Sequence, residues 1–313
     1  MIETRGLTKE FAGITAVKDL NLHVTKGEIY GFLGPNGAGK TTTIMMILGI
    51  EKPTRGEILL FGSKLQDDYF GLKQKIGVAS EFQRVYEDMT AQEYLLFFGE
   101  LYSVPKAKAR AEELLHKVDL YDRRNELLRT YSKGMLQKIN IARALMHDPE
   151  LLVLDEPVAS LDPYGIKQVR DLIMEEHSKG KTFFISSHLL SEVERTCNRV
   201  GILSNGVLVA EDTMQSLRAK LASDITLILE LDQVKQEVID ALKSLPFVTR
   251  VEIGDGSIEV HTKPDSDYRL DISRAVTQAG GMVMGLRRQE MSLEDAFITI
   301  TEKHVSQFAG EGE

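Results

Sequence analysis

The stretch "GEIYGFLGPNGAGKTTTIMMILGI", Gly27–Ile50, decides the architecture. "GEIYGFLG" is a short apolar strand that runs into a glycine-rich loop, and "TTTIMMILGI" continues as a helix. The loop, "GPNGAGKTT" from Gly34 to Thr42, matches G-x-x-x-x-G-K-[ST], with the strand before it and the helix after it that this pattern requires. Gly34, Gly37 and Gly39 let the backbone turn tightly and bring its N–H groups against phosphate oxygens. Lys40 adds a point charge, worth roughly 4 kcal/mol against an opposite charge at ~4 Å and an effective dielectric of about 20. Thr41 offers a hydroxyl to Mg²⁺, and Thr42 reaches a more interior phosphate. Pro35, Asn36 and Ala38 complete a loop read as nucleotide contact along its length.

Two further apolar runs, "LLVLDEP" and "KTFFISSH", read as parallel strands covered on both faces. Strands alternating with helices imply an α/β fold with a doubly wound sheet. Asp155 falls at the C-terminal end of its strand, where open α/β sheets bind ligands. A carboxylate there holds Mg²⁺ through water, and Glu156 beside it polarises an attacking water. His188 ends the other strand at the same sheet edge, and its ring can donate to a γ-phosphate oxygen.

"RTYSKGMLQKINIARAL", Arg129–Leu145, starts as a polar loop and becomes a helix. Leu136, Ile139, Ala142 and Leu145 share its apolar face, which Ile141 widens. Ser132 and Gly134 sit at the junction, where free N–H groups and a positive dipole end suit an anion. This helix is the third of a helical insertion spanning about 84–147. The first opens on the capping box Thr90/Glu93, and the second follows Pro105. Asp162-Pro163 starts another helix that Gly180 ends, and Asn205-Gly206 turns a hairpin.

A break near Lys220 divides the chain into domains 1–220 and 221–313. The second reads strand (Ile225–Leu231), helix (Gln233–Leu245), strand (Val248–Ile253), strand (Ser257–Thr262), helix (Tyr268–Ala279), strand (Met282–Arg288), with Asp255-Gly256 as a tight turn. That order is ferredoxin-like. A last helix runs from Ser292 to about His304.

Composition narrows the partners. A net charge of -9 argues against nucleic acid, whose phosphates reward clustered Lys and Arg. The single cysteine, Cys197, excludes an intrachain disulfide and suits a reducing cytosol. The opening "MIETRGLTKEF" is not a signal peptide, and no apolar run approaches the ~20 residues that cross a bilayer.

With these pieces in place, the chain resembles the ATP-binding subunits of ABC transporters from about residue 2 to 220. The order "GPNGAGKTT", "YSKGM", "LLVLDEP", "VASLD", "SSH" carries the resemblance. It implies a P-loop ATPase cassette using ATP and Mg²⁺, and it implies Phe11 as the aromatic that stacks on adenine. It also implies that Ser132 and Gly134 close over the γ-phosphate held by a second ATP-binding subunit, most simply a second copy of the chain. "VASLD" is then the loop that crosses between subunits. Lys133 and Met135 depart from the usual L-S-G-G-Q. In the loop that usually places a glutamine on Mg²⁺, Glu81 aligns best, with Gln83 two residues on.

"YSKGM" and the ending "SLEDAFITITEKH" resemble the drug-, lipid- and polysaccharide-export branch. That implies a separate transmembrane permease subunit, docked near Glu81–Asp88 through Phe82, Val85 and Tyr86, and a place on the cytoplasmic face of the membrane. Two rival readings are a methionine-type importer ATPase with a regulatory C-terminal domain and a soluble ABC machine.

Overall fold

The computed structural model describes residues 1–65, 67–80, 85–221, 225–254, 257–263 and 266–289, with backbone alone for 218–221. Glu81, Phe82, Gln83, the Asp255-Gly256 turn and the last expected helix lie outside the described residues. Contacts divide the described residues into one unit from Met1 to Met214 and a second from Gln215 to Gln289.

In chain order the first unit holds β1 (Ile2–Phe11), β2 (Ile14–Val24), β3 (Ile29–Leu33), α1 (Lys40–Ile47), β4 (Arg55–Leu60), β5 (Ser63–Lys64), α2 (Tyr69–Gln74), β6 (Ile76–Ala79), α3 (Ala91–Leu101), α4 (Ala107–Lys117), α5 (Lys133–Ala144), β7 (Leu151–Asp155), α6 (Pro163–Ser178), β8 (Thr182–Ser187), α7 (Leu190–Thr196), β9 (Arg199–Ser204) and β10 (Val207–Thr213); α8 (Met214–Leu221) spans the junction. A six-stranded sheet runs β10-β9-β3-β8-β7-β6. Its β9, β3, β8, β7 and β6 are parallel, and β10 adds an antiparallel edge. Every residue of β3, β7 and β8 is buried, as a sheet covered on both faces requires.

The amino-terminal part differs from simple strand–helix alternation. β1, β2, β4 and β5 form a separate antiparallel sheet, ordered β2-β1-β4-β5. The reason is a period of two: in β2, Val17, Leu20, Leu22 and Val24 are buried while Asp19, Asn21 and His23 are exposed. Ile44, Met46 and Ile47 of α1 pack in one core with those β2 residues and with Val153 and Phe184 of the parallel sheet. Helix α1 therefore lies between the two sheets, which fixes the loop that precedes it. Tyr30 and Phe184 stack at 5.7 Å, and Phe32 meets Phe184 at 5.3 Å. Truncating a buried phenylalanine of this kind costs about 3–5 kcal/mol.

On the other face α7 presses against Gly31, where an added Cβ would meet Val193 Cγ1 at 2.7 Å and Cys197 Sγ at 3.0 Å. Cys197 is buried, and desolvation raises its thiol far above the ordinary cysteine range.

The insertion is helical as its caps dictate. Thr90 accepts from the Glu93 N–H at 3.2 Å, and Glu93 accepts from the Thr90 N–H at 2.9 Å, closing the capping box that starts α3. Lys117 of α4 bonds Glu175 and Glu176 of α6 at 2.8 Å each, tying the insertion to the sheet layer. Asp162 caps α6 by accepting from Gly165 at 2.7 Å, with Pro163 in the first turn. Asn205 and Gly206, at φ 48 and 79, turn the β9–β10 hairpin.

The second unit continues with β11 (Ile225–Leu231), α9 (Gln236–Lys243), β12 (Val248–Ile253), β13 (Ile258–Thr262), α10 (Arg269–Gln278) and β14 (Val283–Gln289). Its antiparallel sheet runs β12-β13-β11-β14. Leu227, Leu229, Ile258 and Val260 of the sheet pack with Val238, Leu242, Ile272 and Val276 of the two helices.

Candidate nucleotide site

The strand ends that carry the polar groups are level with one another. Leu33 pairs with Ser187, and Asp155 pairs with Ser186. The glycine loop leaves β3 here. An added Cβ on Gly34 would sit 2.5 Å from the Leu203 carbonyl oxygen. At Gly39 it would sit 2.4 Å from the Ala16 carbonyl oxygen, in a backbone already at φ 104. Only glycine fits where the loop is wedged this closely. Helix α1 starts at once, with no side-chain cap and no acidic residue in its first turn, so its leading N–H groups face the loop.

Lys40 is 6% exposed. Its ammonium donates to the carbonyls of Gly34 at 2.7 Å and Pro35 at 3.3 Å and lies 3.6 Å from Glu156 Oε1. Those partners offset the cost of burying the charge.

Asp155 ends β7 and is 4% exposed. Its Oδ2 accepts from Thr41 Oγ1 at 3.2 Å, and its Oδ1 accepts from the Ser186 hydroxyl. A hydroxyl and a carboxylate oxygen this close form a hard-oxygen pair that fits Mg²⁺. Glu156 sits at φ 50, a left-handed conformation that costs a non-glycine residue about 1–2 kcal/mol. Its N–H donates to Ser186 O at 3.2 Å and Ser186 Oγ at 3.1 Å. The carboxylate is held between Lys40 and His188, whose Nδ1 lies 2.8 Å from Oε2 and whose backbone N–H donates to the same oxygen at 3.3 Å. With its proton on Nδ1 a neutral ring keeps Nε2 as an acceptor, so donation to a phosphate takes the doubly protonated ring or release from Glu156.

The remaining expected residues stand elsewhere. Ser132 caps α5, accepting from the Met135 N–H at 3.2 Å, and is exposed. An added Cβ on Gly134 would meet Ser160 O at 3.1 Å and Leu161 Cδ2 at 3.2 Å, so the start of α5 leans on the "VASLD" loop. Phe11, 44% exposed, ends β1, with the Lys9 ammonium 4.6 Å from its ring centroid. Among the described residues no hydrogen bond or ion pair joins Ser132, Gly134 or Phe11 to the Lys40–Asp155–Glu156–His188 cluster. The sequence reading missed Ser186; its only signal was a pair of hydroxyls, Ser186 and Ser187, ending the apolar run Phe183–Ile185 just before His188.

Glycine loop, sheet order and the acidic end of β7 define a P-loop nucleoside triphosphatase. The ABC transporter family model matches residues 17–159. The bacitracin transport ATP-binding protein BcrA of Enterococcus faecalis is 35% identical over 298 residues, covering 95% of each chain. The daunorubicin/doxorubicin resistance ATP-binding protein DrrA of Streptomyces peucetius is 31% identical over 307 residues, 96% of this chain and 92% of that one. An ATP-binding subunit of an ABC transporter superimposes with TM-score 0.67 at 31% identity over 71% of this chain and 93% of that one. The dimeric cassette MJ0796, in a post-hydrolysis state bound to ADP and Pi, gives TM-score 0.63 at 26% identity over 68% of this chain and 99% of that one. The chain belongs to the ATP-binding proteins of ABC transporters, and it is an ATPase of that family.

Proposed function

We propose that two copies of this chain form a head-to-tail sandwich with two ATP molecules at the seam, and that ATP hydrolysis there powers export through a separate transmembrane subunit. The observation that carries this is the division of the site. Lys40, Thr41, Asp155, Glu156 and His188 form one connected cluster, while the anion-suited start of α5, with Ser132 exposed, stands apart from it. A triphosphate seated on the loop is gripped from one side, and the other side takes Ser132 and Gly134 of a second copy.

The loop N–H groups and Lys40 bind the phosphates, and Phe11 stacks on the adenine, displacing the Lys9 ammonium from its ring. Thr41 and Asp155 would hold Mg²⁺, with Glu81 or Gln83 as the third expected ligand; the ion would neutralise charge on the phosphate oxygens. Glu156 accepts the proton of the water that attacks the γ-phosphorus in line. His188 orients Glu156 and the γ-phosphate together.

Among the described residues no helix is long and apolar enough to cross a membrane, which accords with a peripheral subunit on the cytoplasmic face. Tyr86, 54% exposed, meets Phe97 at 5.6 Å and offers an apolar seat to the permease. Relatives named for bacitracin transport and for linearmycin and daunorubicin/doxorubicin resistance support export over import. Residues 221–313 form the accessory domain, of ferredoxin-like class.

Complementation tests the sandwich. Lys40→Ala and Ser132→Arg copies are each inert alone. Mixed, half the dimers pair one of each, and every such dimer has one intact composite site, so roughly a quarter of wild-type activity returns. No recovery on mixing refutes the head-to-tail reading.

A further inference from the structure

We infer that Ser186 is the positioning residue that sets both acidic groups of the site, Asp155 and Glu156, through one hydroxyl. The inference rests on the proposed roles of those two carboxylates and assigns the residue that aims them.

Ser186 is fully buried, on β8 directly beside Asp155 in the parallel register. Its hydroxyl proton goes to Asp155 Oδ1, which leaves Oδ2 turned to Thr41. Its oxygen lone pair, with its own carbonyl, receives the Glu156 N–H. Among the described residues, no other side chain bonds Asp155 Oδ1 or the Glu156 N–H. The second bond falls where the backbone needs it. Glu156 is in the left-handed region, and its carboxylate lies between Lys40 and His188. A strained backbone persists where its surroundings over-determine it, and here the Glu156 N–H, shared between the carbonyl and hydroxyl oxygens of Ser186, is held in that way. A neighbour that orients ligating and proton-accepting carboxylates typically changes metal affinity or activity about 10–100-fold when it is lost.

The test compares Ser186→Thr with Ser186→Val, which match in shape and differ in the hydroxyl, alongside Ser186→Ala. Steady-state ATPase is measured on the full chain over a range of Mg²⁺, and binding of a fluorescent ATP analogue is measured in EDTA. Thermal melts of all three variants show whether the fold is kept. Ser186→Thr is expected to hold kcat within a few-fold of wild type. Ser186→Val and Ser186→Ala are expected to lose kcat by about 10-fold or more and to need several-fold more Mg²⁺, with metal-free nucleotide affinity unchanged. Wild-type kcat and Mg²⁺ demand in Ser186→Ala overturn the inference. So does equal impairment of Ser186→Thr and Ser186→Val, which assigns the effect to packing. Full turnover in Glu156→Gln sinks the reading of the site itself, whatever Ser186 does.

Discussion

Glu156→Gln is the perturbation whose consequences the geometry fixes in two directions. In the chain without nucleotide, Glu156 Oε1 lies 3.6 Å from the Lys40 ammonium, with the two side chains 8% and 7% exposed. At an effective dielectric of about 20, Coulomb's law gives roughly 4–5 kcal/mol for that pair. Desolvation offsets most of it, as for buried pairs generally. If about 1.4 kcal/mol survives as net attraction, ATP must pull Lys40 from its internal partner at a tenfold expense in affinity. Glutamine keeps the shape and the contact to His188 but removes the negative charge, so ATP binds at least about tenfold more tightly. Turnover moves the other way. Without the proton acceptor, kcat falls by about 10²–10⁴-fold. Fluorescent-ATP titration gives the first number, phosphate release the second, and gel filtration with ATP is expected to trap the sandwich dimer. Weaker ATP binding in the variant refutes the Lys40–Glu156 reasoning, and undiminished phosphate release refutes the role of Glu156.

Lys40→Ala removes the one cation fixed by the phosphate loop and is expected to lower turnover by at least about 100-fold; a phosphate-release assay at saturating ATP checks it. Phe11→Ala loses base stacking worth about 1–3 kcal/mol and should raise the ATP dissociation constant between about fivefold and a hundredfold, while Phe11→Tyr stays near wild type in the same titration. His147 stacks on Tyr102 at 4.0 Å and its pKa is lowered to about 4, first by burial and then by the Arg143 and Lys181 cations, against the hydrogen bond to Ile76. The unfolded ring titrates near about 6.5, so its contribution is present above that pH and is lost as pH falls toward the folded value. Denaturant melts should show about 1–2 kcal/mol less stability at pH 5 than at pH 8 from this residue, and His147→Phe should flatten that part of the dependence.

The phosphate loop was legible because each glycine answers a separate steric demand. Gly34 and Gly39 face carbonyl oxygens at distances no side chain tolerates. The caps were legible for the same local reason: Thr90, Asp162 and the Asn205-Gly206 turn act within a few residues of themselves. The amino-terminal sheet was harder to read. The alternation in β2 is interrupted at Asp19, which sits at φ 48, and β4, which pairs with the other edge of β1, lies beyond the whole P-loop helix. Ser186 was invisible because its meaning comes from strand register: Asp155 is 31 residues away along the chain and adjacent across the sheet. The left-handed turn at Glu156 had no glycine or asparagine to announce it. Ser132 and Gly134 could be placed at a helix start from sequence, but in the proposed sandwich what faces them belongs to a second copy of the chain.

The lone cysteine has an experimental consequence. Cys197 lies shut beneath α7 against Gly31, and burial holds its proton on. Maleimide and spin-label chemistry therefore finds no reactive native thiol, so a cysteine introduced at the exposed Lys133 would carry the only signal. Pairs of such labels would report the opening and closing of the proposed seam, with no need for a cysteine-free background.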